Sequence, residues 1–269
     1  MDYFQPHVSR RIDRLQLDEI KSYPPSCDDD YIANQIIRKL VQFAILSHRW
    51  SRDELSYKDL RKQRGLKGAG WTKLVSFCLE AVLHGMQFAW IDTCCIDKSS
   101  SAELDESIRS MFKWYRNSTL CIIYLEQTMS LADMAGDEWF RRGWTLQELL
   151  APERVLFYNK EWDRLTPSLV ADDKDPSPLS EVFDIVSEAT GIPVQELVKF
   201  EPSPREVDQR MTWAAKREVT RQEDAAYSLM GIFDVSISTA YGEGLDRAFC
   251  RLVEAIMLSG SDSSVLNWG

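Results

Sequence analysis

The sequence lacks the features that mark membrane, secreted and metal-binding proteins. No uninterrupted apolar run reaches the roughly 20 residues that a membrane-spanning helix needs. The six cysteines include no CxxC pair, and none of the three histidines stands at ligand spacing from a cysteine, so no metal site is predicted. The N-terminal residues show no basic stretch followed by an apolar core and a small-residue cleavage site. A cytoplasmic location without a membrane span is therefore expected.

A surplus of positive charge is also missing. The formal net charge is -10, so a surface that binds a nucleic acid duplex would have to be a local exception, and nucleic acid is not expected as a partner. The one glycine-rich stretch, GLKGAG at 65–70, lacks both the Lys-Ser/Thr ending of a phosphate-binding loop and a preceding strand.

What the sequence does contain is an alternation of buried strands and amphipathic helices. Short apolar runs rich in β-formers predict four strands, at 41–46, 88–91, 120–125 and 155–158. Apolar residues at helical spacing predict intervening helices over 71–83, 104–115 and 139–150. The strand-helix-strand order indicates a parallel sheet flanked by helices, so the fold class is α/β.

The pattern changes after Trp162, where prolines and aspartates predict a long polar loop. Beyond it the chain reads as helical, at 179–189, after Pro193, and over 245–256. Thr220 and Glu223 have the spacing of a capping box ahead of a further helix. We therefore divide the chain into an N-terminal arm or helix at 1–40, an α/β core at 41–165, and a mainly helical part at 166–269.

Four sequence stretches together resemble one known family. They are AILSHRW at 44–50, WIDTCCIDK at 90–98, RRGWTLQELLAP at 141–152, and KREVTRQEDAAYSLMGIFDV at 216–235 followed by YGEG at 241–244. This set is similar to the fungal heterokaryon incompatibility (HET) domain, from about residue 40 to the end. The resemblance implies a module of self/non-self recognition that triggers programmed cell death. It also implies self-association, and often a place as the effector of a larger receptor with a nucleotide-binding oligomerisation segment.

The HET fold in turn distantly resembles the Toll/interleukin-receptor (TIR) domain, which has a flavodoxin-like sheet and in some members hydrolyses NAD. TIR enzymes carry a WCxxEL helix whose glutamate is catalytic. Here Trp144 to Leu149 read WTLQEL, which departs at the cysteine but keeps the spacing of Trp144 and Glu148. The resemblance implies that Glu148 is catalytic, that Trp144 frames the ligand, and that NAD is the substrate with no cofactor required. The alternative is a core tryptophan beside a surface glutamate.

Polar residues after the first two strands are the candidate ligand-binding groups, because the carboxyl ends of parallel strands share one edge of the sheet. Ser47, His48 and Trp50 follow the first strand; Asp92, Asp97 and Lys98 follow the second. An aspartate suits ribose hydroxyls and a lysine suits a pyrophosphate. The alternatives are a structural histidine, a packed tryptophan and a salt bridge that fixes the loop.

Three further groups have weaker support. Glu106 is a candidate second catalytic carboxylate, although carboxylates at the start of a helix are also favoured by the helix dipole. Arg221 is a candidate phosphate ligand in a charged segment. Cys94 and Cys95 raise the question of a thiol nucleophile activated by His48.

Two functions from different classes follow. The first is an NAD glycohydrolase that releases nicotinamide, supported by the spacing of Trp144 and Glu148. The second is a non-catalytic signalling or oligomerisation domain that binds a nucleotide or recruits a partner. The absence of a complete catalytic constellation in the sequence favours the second.

Overall fold

The structure is a computed structural model that describes residues 41–167, 171–175, 181–260 and 262–267. The predicted N-terminal arm at 1–40 lies outside the described residues. The remaining chain forms a layer of parallel strands with helices on both faces and a helical C-terminal part. The predicted α/β class, with a parallel sheet flanked by helices and a helical C-terminal part, is confirmed. The likeness to the TIR domain stays a prediction.

Four strands form the sheet, in the order β2-β1-β3-β4 with every pair parallel. Their bounds are β1 Phe43–His48, β2 Phe88–Trp90, β3 Leu120–Tyr124 and β4 Val155–Tyr158, so all four predicted strands are confirmed within two residues at each end. β1 and β2 are adjacent and parallel, which places Ser47 and Asp92 at the same edge, as predicted. The winding direction reverses between β1 and β3, and open α/β sheets bind ligands at such a switch point.

The helices connect the strands and continue beyond them. They are α1 Tyr57–Arg61, α2 Ala69–Leu83, α3 Asp92–Cys95, α4 Ser101–Asn117, α5 Leu131–Met134, α6 Thr145–Leu150, α7 Val182–Thr190, α8 Val194–Val198, α9 Val207–Ala214, α10 Asp224–Tyr227 and α11 Leu245–Ser259, with 3-10 turns at Glu138–Arg141 and Ser263–Leu266. Within the described ranges, no helix combines the length and apolar character needed to cross a bilayer.

Helix α2 forms where the apolar spacing predicts, but it buries a different face. Its buried residues include Lys73 and Phe77, which face the sheet. Three residues of the predicted apolar pattern are instead exposed: Leu79 by 59%, Val82 by 68% and Leu83 by 76%. The apolar pattern therefore correctly predicts a helix, and it also marks an uncovered apolar surface.

The predicted helix over 139–150 is wrong in its first half. A 3-10 turn occupies Glu138–Arg141, and α6 begins only at Thr145. The backbone between them pairs with a distant segment: the Gly143 N–H donates to the Glu218 carbonyl at 2.8 Å, and the Glu218 N–H donates to the Arg141 carbonyl. Hydrogen bonds to a neighbouring segment thus replace the helical ones that the local sequence favours.

The predicted capping box at Thr220 and Glu223 is also wrong. The Glu223 carboxylate accepts from the backbone N–H groups of Gly242 and Gly244, at 2.8 and 3.1 Å. Glu223 therefore holds the YGEG loop against α10. Its role is structural, as predicted, but through this loop and not through a helix cap.

One hydrophobic core joins the sheet to the C-terminal helices. Side chains from β1, β3 and α4 pack in the same cluster as Phe183 of α7, Trp213 of α9 and Ile256 of α11. A second, smaller cluster lies between the other sheet face and α2. The chain division at 165 remains a prediction, although the apolar packing extends across it.

Replacing Gly231 by alanine is expected to lower the free energy of unfolding by about 1–3 kcal/mol, the usual cost of overpacking a core. A Cβ at this position would lie 2.1 Å from Phe112 Cβ and 2.4 Å from its Cγ, and Phe112 is itself in the main core. Urea unfolding measures the change. The control is Gly136→Ala, whose nearest atom would be 3.4 Å away; equal stability of the two variants would contradict the close approach.

Candidate functional site

A chain of hydrogen bonds leads from a buried tryptophan to Glu148 at the carboxyl end of β1. The Trp139 indole Nε1–H donates to Ser47 Oγ at 2.9 Å, and the Ser47 hydroxyl donates to Glu148 Oε2 at 2.5 Å. Trp139 and Ser47 are completely buried. Ser47 Oγ accepts a hydrogen bond from the indole, so its own hydroxyl proton is free to be donated to the Glu148 carboxylate.

The environment of Glu148 raises its pKa to about 7. The largest cause is burial, which disfavours the charged form, and the nearby charge of Asp92 acts in the same direction. Hydrogen bonds from Ser47 and Tyr115 and the charge of Arg142 oppose the increase. Carboxyl groups with raised pKa values cluster at functional sites, and open α/β sheets bind ligands at a switch point, so Glu148 is the candidate functional group. The structure therefore brings together Glu148, Ser47 and Asp92 of the predicted site.

Two substitutions are expected to move the pKa of Glu148 in opposite directions. Ser47→Ala removes a hydrogen bond to the carboxylate, so the pKa should rise. Asp92→Asn removes a negative charge while keeping the side-chain volume, so the pKa should fall. Titration of the Glu148 carboxyl carbon by ¹³C NMR measures both. Shifts of the same sign would contradict this account of its environment.

Cations surround the exposed Trp50 at the rim of this site. The Lys98 ammonium lies 3.6 Å from the centroid of the Trp50 ring, and the Arg142 guanidinium lies 5.3 Å from it. Lys98 Nζ is also 3.8 Å from Asp92 Oδ2, and the indole is 45% exposed. The rim thus offers an aromatic face with two cations beside the carboxylates of Asp92 and Glu148. Sequence reasoning missed Arg142, which precedes Gly143 in a stretch that was predicted to be helical.

A second polar group supports the loop after β1, and sequence reasoning missed two of its members, Glu54 and Lys73. His48 Nε2 lies 3.6 Å from Glu54 Oε1, and Lys73 Nζ lies 2.5 Å from the same oxygen and 3.2 Å from the Arg49 carbonyl. Burial alone would raise the pKa of Glu54, but His48 and Lys73 together hold it well below its usual range. The His48 ring is buried, and its Nε2 lies at ion-pair distance from Glu54 but makes no hydrogen bond with the residues that the structure describes.

Glycine at position 70 allows α2 to approach this loop. A Cβ there would lie 2.0 Å from the Asp53 carbonyl oxygen, so any other residue would push the helix and Lys73 away from Glu54. A glycine near a helix start and a lysine on the less apolar helix face are the only signals of this contact in the sequence, and neither is specific.

The other predicted ligand residues make contacts of a structural kind. The Trp144 side chain packs against the main core and hydrogen-bonds Asp224. Asp97 accepts from the N–H and hydroxyl of Ser99 in a local turn, and Arg221 lies over the Tyr241 ring at 4.1 Å. Glu106 is exposed on α4. None of these contacts reaches Glu148. The ligand roles of Trp144, Asp97 and Arg221 and the catalytic role of Glu106 stay predictions.

The vicinal cysteines do not form a thiol-imidazole pair. The partner that lowers the pKa of Cys95 to about 7 is Cys94, through a side-chain hydrogen bond. The Ile91 N–H also donates to Cys95 Sγ, at 3.4 Å. Among the residues that the structure describes, no group of three His, Cys, Asp or Glu side chains is arranged to hold a metal ion.

Comparison with known proteins agrees with the sequence motifs. Residues 43–136 match the family described as "Heterokaryon incompatibility protein (HET)". The chain is also 42% identical over 242 residues to the "Vegetative incompatibility protein HET-E-1" of Podospora anserina, an alignment that covers 85% of this chain and 17% of that relative. No solved structure matches the chain. On these two matches the chain belongs to the heterokaryon incompatibility (HET) family.

Proposed function

We propose that this chain is a cell-death effector domain of fungal self/non-self recognition, and that it acts as an NAD glycohydrolase when assembled. The observation that supports the enzymatic part is Glu148, a partly buried carboxyl with a pKa of about 7 at the sheet's switch point. The family membership and the vegetative incompatibility relative support the biological part. The relative is much longer than this chain, which suits an effector joined to receptor segments in a larger protein.

The chemistry requires one negative charge close to the ribose. In NAD hydrolysis the bond between the ribose C1′ and the nicotinamide nitrogen breaks, and neutral nicotinamide leaves with the electron pair. The ribose becomes oxocarbenium-like, water adds to C1′, and one proton is released, giving ADP-ribose. An ionised Glu148 would stabilise the positive charge that develops in this transition state. Ser47 would keep the carboxylate oriented through its hydrogen bond to Oε2.

The rim supplies groups suited to the rest of the dinucleotide. Lys98 and Arg142 are cations that suit a diphosphate, and the exposed Trp50 face suits stacking with a ring. Asp92 suits the ribose hydroxyls. NAD is the substrate in this scheme, and no metal or further cofactor takes part.

A non-catalytic signalling domain is the second candidate, and two observations favour it. Lys98 and Arg142 already contact the Trp50 ring, and Trp144 already hydrogen-bonds Asp224, so these groups have protein partners. In addition, α2 exposes Leu79, Val82 and Leu83 on one apolar surface, which suits self-association or recruitment of a partner. In this scheme the site binds a nucleotide without cleaving it.

The deciding experiment is incubation of the protein with NAD at concentrations that promote assembly, followed by chromatography for nicotinamide. Equal amounts of nicotinamide and an ADP-ribose product are expected, and none with protein-free buffer. If the assembled protein leaves NAD intact while its expression still kills fungal cells, the signalling function is correct and the enzymatic one is wrong.

A further inference from the structure

Arg217 lies in the KREVTRQED segment and is not used by the proposed chemistry. It follows α9 and is about 70 residues distant in sequence from α6, which carries Glu148. The side chain is nevertheless directed at the start of α6. Arg217 Nη1 donates to the Arg142 carbonyl at 3.0 Å and to Thr145 Oγ1 at 2.9 Å.

The guanidinium is anchored on its own side as well. Arg217 Nε donates to the Trp213 carbonyl of α9 at 3.2 Å. The group thus bridges the end of α9 and the first residue of α6. Thr145 in turn donates to the carbonyls of Trp139 and Arg142, at 2.7 and 2.8 Å, so Arg217 joins a network that includes the residue whose indole fixes Ser47.

The backbone around Arg217 holds the same segment. Glu218 exchanges two backbone hydrogen bonds with Arg141 and Gly143. Position 143 has room only for glycine, because a Cβ there would lie 2.5 Å from Val219 Cγ1. The turn before α6 is therefore packed directly against the segment that carries Arg217.

One part of the guanidinium has no partner. Arg217 Nη2 is buried and lacks a hydrogen-bond partner within the described part of the chain. Burial lowers the pKa of Arg217 to about 10, and the opposing influence is the charge of Glu148. Arg217 and Glu148 therefore interact through their charges, in addition to the hydrogen bonds that Arg217 makes at the start of α6.

We propose that Arg217 is a positioning residue, which fixes the start of α6 through Thr145 and the Arg142 carbonyl and thereby sets the position and charge of the Glu148 carboxylate. The inference rests on the proposed function only in taking Glu148 as the reacting group. The geometry connects the C-terminal part of the chain to the site at the edge of the sheet, so that the helical part holds the carboxylate in place.

The test measures Glu148 directly and does not depend on turnover. ¹³C NMR titration of the Glu148 carboxyl is compared in the parent, Arg217→Gln, Arg217→Lys and Lys216→Gln proteins. Arg217→Gln removes the cation, so the pKa of Glu148 should rise. Arg217→Lys keeps the charge but not the planar set of N–H donors, so its Glu148 pKa should lie between those of the parent and Arg217→Gln. Lys216 is the exposed neighbour of Arg217, so the pKa of Glu148 in Lys216→Gln should equal that in the parent. Where NAD is cleaved, Arg217→Gln should lower kcat about tenfold to a hundredfold, the usual cost of a misplaced catalytic group.

Each outcome supports or overturns the positioning role of Arg217. A folded Arg217→Gln protein with an unchanged Glu148 pKa overturns the proposal, as does an Arg217→Lys protein equal to the parent, which would leave the effect to charge alone. If Arg217→Gln does not fold, Thr145→Val removes the same hydrogen bond from the α6 side. The pKa of Glu148 should then also rise, because α6 is no longer held against Ser47, and an unchanged value overturns the proposal. A raised pKa in a protein whose parent leaves NAD intact supports the positioning role and refutes the enzymatic function.

Discussion

Replacing Glu148 by glutamine is expected to reduce NAD cleavage by about a hundredfold or more, the typical cost of losing one electrostatic stabiliser of a transition state. The substitution keeps the size of the side chain and its capacity to accept the Ser47 hydrogen bond. It removes only the negative charge that would stabilise the oxocarbenium-like ribose. Nicotinamide release by the assembled protein measures the effect, and fungal cell killing should fall in parallel.

The control for this experiment is an exposed glutamate on α7, Glu188. Glu188→Gln removes the same charge from the protein surface, so it should cleave NAD at the parent rate. If Glu148→Gln is folded and also cleaves NAD at the parent rate, Glu148 is not the catalytic carboxylate, and Glu106 becomes the residue to replace.

The Glu148→Gln protein is also expected to be more stable to unfolding than the parent above neutral pH. The folded protein raises the pKa of Glu148 to about 7 from an ordinary 4.5, so the folded state binds this proton more tightly than the unfolded chain does. The stability that this group contributes is complete below pH 4.5 and is lost as pH rises through about 7. Glutamine does not titrate. At pH 8 the variant should therefore gain about 1–3 kcal/mol, a range that allows for the partial exposure of Glu148.

Thermal unfolding of both proteins at pH 4.5 and pH 8 checks this expectation. The melting temperatures should nearly coincide at the lower pH and differ by a few degrees in favour of Glu148→Gln at the higher one. A variant that melts several degrees below the parent at pH 8 would show that the Glu148 carboxylate holds the fold. Its loss of activity would then not be attributable to chemistry.

The strands were predictable because their signal is local. A short run such as LCIIY at 120–124 is apolar on both faces and rich in β-branched residues, which leaves few alternatives to a buried strand. The order of the strands follows from short connections and right-handed crossovers. These rules also place the ends of β1 and β2 at one edge, so Ser47 and Asp92 could be assigned to one site from the sequence.

The remainder depends on contacts between distant segments. The start of α6 is set by backbone pairing with Glu218, which no local pattern encodes. The buried face of α2 carries Phe77 and Ala81 together with Lys73, which pairs with Glu54, although the apolar spacing indicates another face. Glu223 has a suitable cap spacing but binds two glycine N–H groups nearly 20 residues later. Sequence reasoning failed where the deciding contact, from backbone or side chain, joins segments that are distant in sequence.

The hydrophobic cluster that extends from the sheet into the C-terminal helices has a consequence for how the molecule unfolds. Residues of β1 and β3 share that cluster with α7, α9 and α11, so neither part can lose its packing alone. Calorimetry is expected to show one transition for the described parts together. A fragment that ends at residue 165 would expose apolar side chains of this cluster to water, among them Phe112 and Phe157, which contact Phe200 and Phe183. It would also lack Arg217. Such a fragment should aggregate, even though it contains all four described strands and the whole stretch that matches the family model.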